Sequence, residues 1–335
     1  MKDLIKRLVE AYGPSGAEDE VRALIESELA DAVDDMRVDA MGNLIAHKKG
    51  SGGGKRIMVA AHMDEIGLII THVDENGYLR FARVGGILPG TPVGSRVRFR
   101  SGAGADAAMG VIGHEDGMEA KADGTWDKLF VDVGATSKAD SPVQVGDVGG
   151  FVQPMADLGN RLVAKSMDDR VGCAVVIAAA KALSDTPNDL YLVFTTQEEV
   201  GTRGAVVSAF GVEPDVAIAV DVTPTGDYPE AKPKSVSLGK GAAIKVLDSG
   251  MISHPGVKDW MVATAEERDI TYQLEVLDRG TTDARAIQTS RAGVPSGCLS
   301  IPTRYVHTQS EMVDMDDVDA CVALMTALLE SVPTL

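Results

Sequence analysis

The sequence predicts an α/β fold: a mixed sheet covered by helices on both faces, with a small all-β domain inserted into it. Three observations carry this reading. Arg56–Ala61 (RIMVAA), Leu190–Thr196 (LYLVFTT) and Val216–Val220 (VAIAV) are short, nearly continuous apolar runs, the composition of strands buried on both faces. From Asp168 onward such runs alternate with stretches of helical period, as in a sheet sandwiched between helices. Between Gly67 and Val163 the helical period disappears, and Gly- and Val-rich alternating segments are punctuated by turns.

Taken in order, Leu4, Ile5, Leu8 and Val9 share one face of a first helix, which Gly13-Pro14-Ser15-Gly16 breaks. Val21, Leu24, Ile25 and Leu29 mark a second helix. Asn43–Ala46 reads as a strand, Ser51–Gly54 as a loop and Arg56–Ala61 as a buried strand. Tyr78–Phe81, Arg96–Arg100 and Phe130–Val133 alternate as half-buried strands do. Beyond them, helices are predicted at Val171–Leu183, Gly204–Phe210, Trp260–Arg268, Asp283–Gln288 and Val318–Leu329. Strands are predicted at Leu190–Thr196, Val216–Val220, Ile270–Val276 and Gly297–Ile301. The division that follows is one α/β domain, 1–66 plus 164–335, with a β-rich domain at 67–163.

With 335 residues the chain is long enough for about two domains. Fifty acidic against 32 basic side chains give a charge of −18, which argues against a nucleic-acid partner, since phosphate binding needs a basic face. No apolar run approaches the ~18 residues of a membrane span. The opening MKDLIKRLVEAYG, charged within its apolar pattern, reads as an amphipathic helix and not a secretory leader. Cys173, Cys298 and Cys321 are far apart and odd in number, which points to a reducing cytoplasm without disulfides.

The chemistry-bearing residues fall at the predicted ends of elements. His62 and Asp64 follow the strand 56–61; Glu198 and Glu199 follow 190–196; Asp221 ends 216–220; His307 follows 297–301; Asp168 and Asp169 precede a helix. In open α/β sheets, ligands bind beyond the carboxyl ends of strands. Two divalent ions held close together need a bridging carboxylate and terminal imidazole and carboxylate ligands, together with a free carboxylate as general base. Such ligands suit zinc, cobalt or manganese. The Glu198-Glu199 pair can supply one ligand and one base, and Asp64, two residues beyond His62 on an extended chain, can orient the imidazole. Each piece alone has a plainer reading, as a polar strand end, a helix cap or a turn.

Ala61-His62-Met63-Asp64-Glu65-Ile66-Gly67, Met167-Asp168-Asp169-Arg170-Val171-Gly172, Gln197-Glu198-Glu199-Val200-Gly201 and Arg304-Tyr305-Val306-His307-Thr308 resemble the M42 family of metallo-aminopeptidases, the TET-type enzymes of the co-catalytic zinc peptidase clan. The resemblance runs from Gly13-Pro14-Ser15-Gly16 to the final helix, inserted β domain included. It implies a zinc-exopeptidase-like fold and an enzyme that removes N-terminal residues from short peptides with two divalent ions (zinc or cobalt) per subunit. It implies that Asp168 bridges both ions, that His62 and Asp221 complete one, and that Glu199 and His307 complete the other. It implies that Glu198 is the general base, that Asp64 orients His62, and that Asp169, where the family often has Asn, lies behind the ligands. It further implies that the inserted domain drives homo-oligomerisation, to a dodecamer built from dimers. Gly280-Thr281-Thr282-Asp283 resembles a Gly-Gly-Thr-Asp stretch near the active site, with Thr281 in place of the second Gly.

Competing readings are a deacylase or carboxypeptidase on the same metal core, or a non-catalytic assembly protein of the same fold. A nucleotide module has little support: Gly102–Ala107 fits GxGxxA only loosely, and Lys55 misses the Walker spacing. His47, His72, His114 and His254 match no ligand pattern, and Cys173 on a small-residue helix reads as core.

Overall fold

The computed structural model describes residues 1–88, 90–100, 108–117, 126–232 and 234–335. The Gly102–Ala107 stretch weighed as a nucleotide loop lies outside the described residues. Two helices open the chain, α1 (Lys2–Glu10) and α2 (Asp19–Leu29), burying Ile5, Leu8 and Val9 on the first and Val21, Ile25 and Leu29 on the second. The chain then enters a sheet through β1 (Asp35–Val38), β2 (Leu44–Lys48) and β3 (Arg56–His62).

It leaves that sheet for a separate barrel made of β4 (Gly67–Val73), β5 (Leu79–Val84), β6 (Arg96–Phe99), β7 (Met109–His114), β8 (Leu129–Asp132) and β9 (Val148–Phe151). The barrel closes in the order β4-β5-β8-β7-β6-β9, every described pairing antiparallel, around a core that includes Leu68, Leu79, Val97, Phe99, Ile112, Val131 and Phe151. Closure leaves no open sheet edge. The chain rejoins the large sheet at β10 (Ala156–Asp157) and β11 (Arg161–Ala164), so the change of sheet falls between Phe151 and Ala156, while the β-rich texture of the sequence runs on to 163.

The rest alternates: α3 (Met167–Ala182), β12 (Asp189–Thr195), α4 (Arg203–Val212), β13 (Val216–Pro224), β14 (Ala242–Leu247), α5 (Pro255–Glu267), β15 (Tyr272–Val276), α6 (Asp283–Gln288), β16 (Ser296–Arg304), β17 (Glu311–Asp314) and α7 (Met315–Glu330). The large sheet runs β1-β2-β12-β3-β13-β16-β17-β11-β10, with β14 joined to β16 and β15 to β14. Its centre, β12-β3-β13-β16, is parallel, and antiparallel pairs flank it, so the sheet is mixed as predicted. Both faces are covered, which is why the central strands carry no polar alternation. In β3, Ile57, Val59 and Ala61 join one core with side chains of α1, α2, α3, α5 and α7, while Met58 and Ala60 join another with Ala205, Ala209 and Val212 of α4 and Ile287 of α6. Each larger buried aliphatic side chain contributes about 1.5–3 kcal/mol.

Five strands of the large sheet have no individual counterpart in the sequence reading, and two of them, β10 and β11, fall in the stretch it assigns to the inserted β domain. β1 and β17 are four residues long, too short for a period-2 signal. In β14 the apolar run Ala242-Ala243-Ile244 is broken by Lys245, which is fully buried because Glu275 lies 3.0 Å and Asp248 3.4 Å from its ammonium. α5 also starts five residues earlier than predicted, with Pro255 in its first turn, where a missing N–H costs nothing.

Candidate metal centre

Parallel pairing of β12, β3, β13 and β16 places their carboxyl ends side by side, and the candidate residues emerge there. His62 ends β3 in register with Thr195 of β12, and Asp221 stands in β13 opposite Ser300 of β16. Glu198 and Glu199 lie on the turn after β12, and His307 on the turn after β16. Asp168 and Asp169 precede the regular part of α3 with non-helical dihedrals. Gln197, Tyr305 and His307 adopt left-handed backbone conformations (φ 56°, 61° and 62°), strained for side-chain-bearing residues, and they sit on the turns that present Glu198, Glu199 and His307.

Asp168 is the hinge of the arrangement. Its Oδ1 lies 2.9 Å from His62 Nε2 and its Oδ2 lies 3.2 Å from His307 Nε2. His62 Nε2 is also 3.9 Å from Asp221 Oδ1, and His307 Nε2 is 3.3 Å from Glu199 Oε2. Two donor groups result, His62–Asp168–Asp221 and Asp168–Glu199–His307, each with its ligand atoms within 4.8 Å of one another. All five residues named as ligands from the sequence come together here.

Asp64 is completely buried, 3.4 Å from His62 Nδ1, so Nε2 is left facing the donor group. It also accepts from Ser15 Oγ (2.6 Å), Glu198 N (2.9 Å) and Glu199 N (3.2 Å), tying the imidazole to the Glu-Glu turn. Asp169 is buried, belongs to neither donor group and accepts the His62 amide (3.2 Å). Asp283 is buried and accepts from Thr195 Oγ1. Thr281 has no left-handed backbone, so its side chain is accommodated where the resemblance places a second Gly. Among the described residues the Glu198 carboxyl has no hydrogen-bond partner, and it lines a cavity of about 470 Å³ together with His62, Asp168, Glu199, Asp221 and His307.

Electrostatics and satisfaction both fit this donor set to cations. Burial and the neighbouring carboxylates push Asp169, Glu198 and Asp221 well above the ordinary carboxylate range, and Glu199 to about 7. Burial opposes charge on His307, but Glu199 and Asp168 outweigh it and raise the imidazole to about 11. Burial likewise opposes charge on Asp168 and is outweighed by hydrogen bonds from His307 and His62, which hold it well below the usual range. Acids thus outnumber bases among largely buried groups, and Glu199 Oε1 is buried without a partner among the described residues. Divalent cations would neutralise the excess and satisfy that oxygen, and imidazole with carboxylate suits zinc or cobalt.

Three supporting groups escaped the sequence reading. Glu311 Oε2 accepts the Asp168 amide (2.9 Å) and its Oε1 accepts the His307 amide (2.7 Å), so one buried carboxylate braces residues from both donor groups. Gly86, in the loop after β5 of the barrel, has its carbonyl 3.2 Å from His307 Nδ1. A Cβ at Gly86 would lie 2.7 Å from that nitrogen, and one at Gly85 would lie 2.7 Å from Ile66 Cγ2. Ser15 supports Asp64. Glu311 and Gly86 have no sequence signal beyond an acid or a glycine pair in a turn, while Ser15 stands in the Gly13–Gly16 turn already read from the sequence, without its role. His47 lies apart, between Asp35 (3.0 Å) and Asp189 (2.7 Å), and Cys173 is core, as predicted.

The profile of the M42 glutamyl aminopeptidase family matches residues 42–324. The lysyl aminopeptidase of Pyrococcus furiosus is 39% identical, over 98% of this chain and 96% of its own. The structure of an aminopeptidase from the archaeon Desulfurococcus kamchatkensis matches with a TM-score of 0.93 at 42% identity, covering 98% of this chain and 94% of that one. A Pyrococcus horikoshii peptidase described as able to assemble into a tetrahedron or a large octahedral shell matches with a TM-score of 0.88 at 33% identity, over 99% of each chain.

Proposed function

The chain belongs to the M42 peptidase family and is an aminopeptidase, and from that premise we propose that it removes N-terminal residues from short peptides with two divalent ions, zinc or cobalt, per subunit. The observation that carries the two-ion reading is Asp168, one carboxylate whose two oxygens face two separate imidazoles. In this reading Asp168 bridges, His62 and Asp221 complete one ion, and Glu199 and His307 complete the other.

When bound, the ions supply polarisation of the scissile carbonyl and a water of lowered pKa. The chain supplies positioning and proton transfer. Asp64 holds His62 with Nε2 toward its ligand group and, through the Glu198 and Glu199 amides, sets the turn that carries the base. Glu198, its carboxyl open to the cavity, accepts a proton as the water oxygen attacks the carbonyl carbon, and returns it to the nitrogen as the C–N bond breaks. Glu311 holds the amides of Asp168 and His307, so the two ligand groups keep their spacing.

The relatives' assembly and the exposed apolar pairs of the barrel, such as Met109 and Val111 on β7, support a homo-oligomer joined through the barrel, with a dodecamer built from dimers as its form. No helix among the described residues is long and apolar enough to cross a membrane. Three buried free cysteines support a reducing, cytoplasmic setting.

The deciding experiment is amino-acid release from free and N-acetylated short peptides, before and after chelation and with zinc or cobalt restored. Release from free N-termini only, lost with chelator and regained with metal, is the expected result. Cleavage of the acetylated set moves the reading to a deacylase, and inertness of metal-loaded protein toward both sets moves it to a non-catalytic assembly protein.

A further inference from the structure

The donor groups meet solvent at one ligand. The side chains of His62, Asp168, Glu199 and Asp221 are 2%, 9%, 3% and 8% exposed, whereas that of His307 is 32% exposed, so the centre opens past His307. Two residues before His307, at the start of the same turn, stands Tyr305, which is 45% exposed. Its ring centre lies 6.0 Å from that of Tyr228, itself 40% exposed, with the two planes 47° apart. In a chain with only 4% aromatic residues, this pair is a small apolar patch beside a cavity, where such patches serve binding.

Both rings are carried by backbone that is tied down. β13 and β16 run in parallel register to Pro224 and Thr303, and each tyrosine follows its strand within a few residues. Asp227 joins the two turns. Its oxygens accept from Arg304 (Nε to Oδ1 3.0 Å, Nη2 to Oδ2 2.7 Å), from Thr225 Oγ1 (2.6 Å) and from Leu238 N (3.1 Å), and the two-pronged guanidinium contact fixes direction as well as distance. Thr308 Oγ1 donates to the Tyr305 carbonyl (2.7 Å), which holds Tyr305 in its left-handed conformation. Pro224 and Val306, chain neighbours of the two turns, line the cavity, so the pair stands at its rim on the His307 side.

We propose that Tyr228 and Tyr305 form a shelf that binds an aromatic side chain at the second residue of the peptide, the one beyond the bond that is cut. The inference rests on the aminopeptidase reading given above. With the scissile carbonyl at the donor groups beside Glu198, the first residue is enclosed and the rest of the peptide leaves toward solvent past His307. Consecutive Cα atoms are about 3.8 Å apart, so the second side chain is the first group to reach the rim. Two tilted rings offer a third ring a stacked contact with one and an edge-on contact with the other.

The test uses the metal-loaded full chain and the C-terminally amidated tripeptides Leu-Phe-Ala, Leu-Ala-Ala, Leu-Ala-Phe and Phe-Ala-Ala. Leu-Phe-Ala should exceed Leu-Ala-Ala by roughly tenfold in kcat/KM. Most of the gain should lie in KM, because a side chain that does not react binds alike in the ground and transition states. In the double variant Y228A/Y305A this ratio should fall toward one, while the ratio of Phe-Ala-Ala to Leu-Ala-Ala, which reports the first residue, stays at its parent value. Y228F/Y305F, which keeps both rings, should keep the second-residue ratio, a rescue that a merely structural role of the hydroxyls would not give. Equal rates for Leu-Phe-Ala and Leu-Ala-Ala, an unchanged ratio in the double alanine variant, or a gain carried by Leu-Ala-Phe instead overturns the proposal. So does a change in assembly size by light scattering in Y228A/Y305A with the ratio intact, which would assign the pair to a contact between copies of the chain. Inertness toward every peptide defeats the aminopeptidase reading itself, and the shelf with it.

Discussion

Replacing Asp64 by Asn isolates the positioning role of that residue, because it changes charge and donor pattern at nearly constant volume. The parent carboxylate is fully buried and accepts from Ser15 Oγ and from the Glu198 and Glu199 amides, with His62 Nδ1 3.4 Å away. An Asn side chain has one acceptor and one NH2. Placed at the Oδ1 position, the NH2 faces the Glu198 N–H; placed at Oδ2, it faces the Glu199 N–H. Either way one buried amide loses its acceptor, a cost of about 1–3 kcal/mol. If that cost falls on the turn and on the His62 orientation, it corresponds to roughly 5- to 150-fold, at about 1.4 kcal/mol per decade, in line with the 10–100-fold typical when a partner behind a metal ligand is removed. Metal affinity measured by competition with a chromophoric chelator, and kcat/KM on a free tripeptide, should both fall by this amount. D64A, which removes every acceptor, should fall further and melt at a lower temperature. Metal affinity and kcat/KM both within about twofold of the parent in D64N would refute the reasoning.

The other expectations probe separate links. E198Q should bind metal normally by the same competition assay and lose roughly 100- to 10,000-fold in kcat, the range for a general acid–base; near-normal turnover would remove Glu198 from that role. G86A should fold, since Gly86 has no left-handed backbone, yet drive a methyl to 2.7 Å from His307 Nδ1, lowering kcat/KM about 10–100-fold with little change in melting temperature; unchanged kinetics would sever the barrel from the centre. At His47, burial opposes the charged form, but hydrogen bonds to Asp189 and Asp35 win and raise the imidazole's pKa in the folded state. Its stabilisation is therefore complete below the unfolded value of about 6.5 and fades as pH rises through the folded value. Because the aspartates are partly exposed, H47Q should lower the melting temperature by no more than about 2 °C at pH 5.5, with the gap closing toward alkaline pH. A gap that widens with pH would contradict this sign.

The fold was legible where local pattern and burial agree. The runs at 56–61, 190–196 and 216–220 are apolar on both faces because helices cover both faces of the sheet, and the chain has to encode that in composition. His62, two residues before Asp64, was legible because an extended chain returns a side chain to the same face every second residue. Lys245 hid β14, because a lysine contradicts a buried strand unless its acids are known, and those acids, Glu275 and Asp248, come from β15 and the turn after β14.

The sequence by itself determined which residue types stand at the ends of which apolar runs, because strand, turn and helix propensities act over a few neighbours. Only the tertiary structure decided that residues 62, 168, 199, 221 and 307 share one site, because that depends on the lateral order β12-β3-β13-β16 and on register between strands 79 to 159 residues apart. It alone drew in Glu311 and Gly86, whose roles are made by contact with His307 and have no local signature. It alone brought Arg279 and Arg285, two exposed bases in an acidic chain, to the lining of the same cavity.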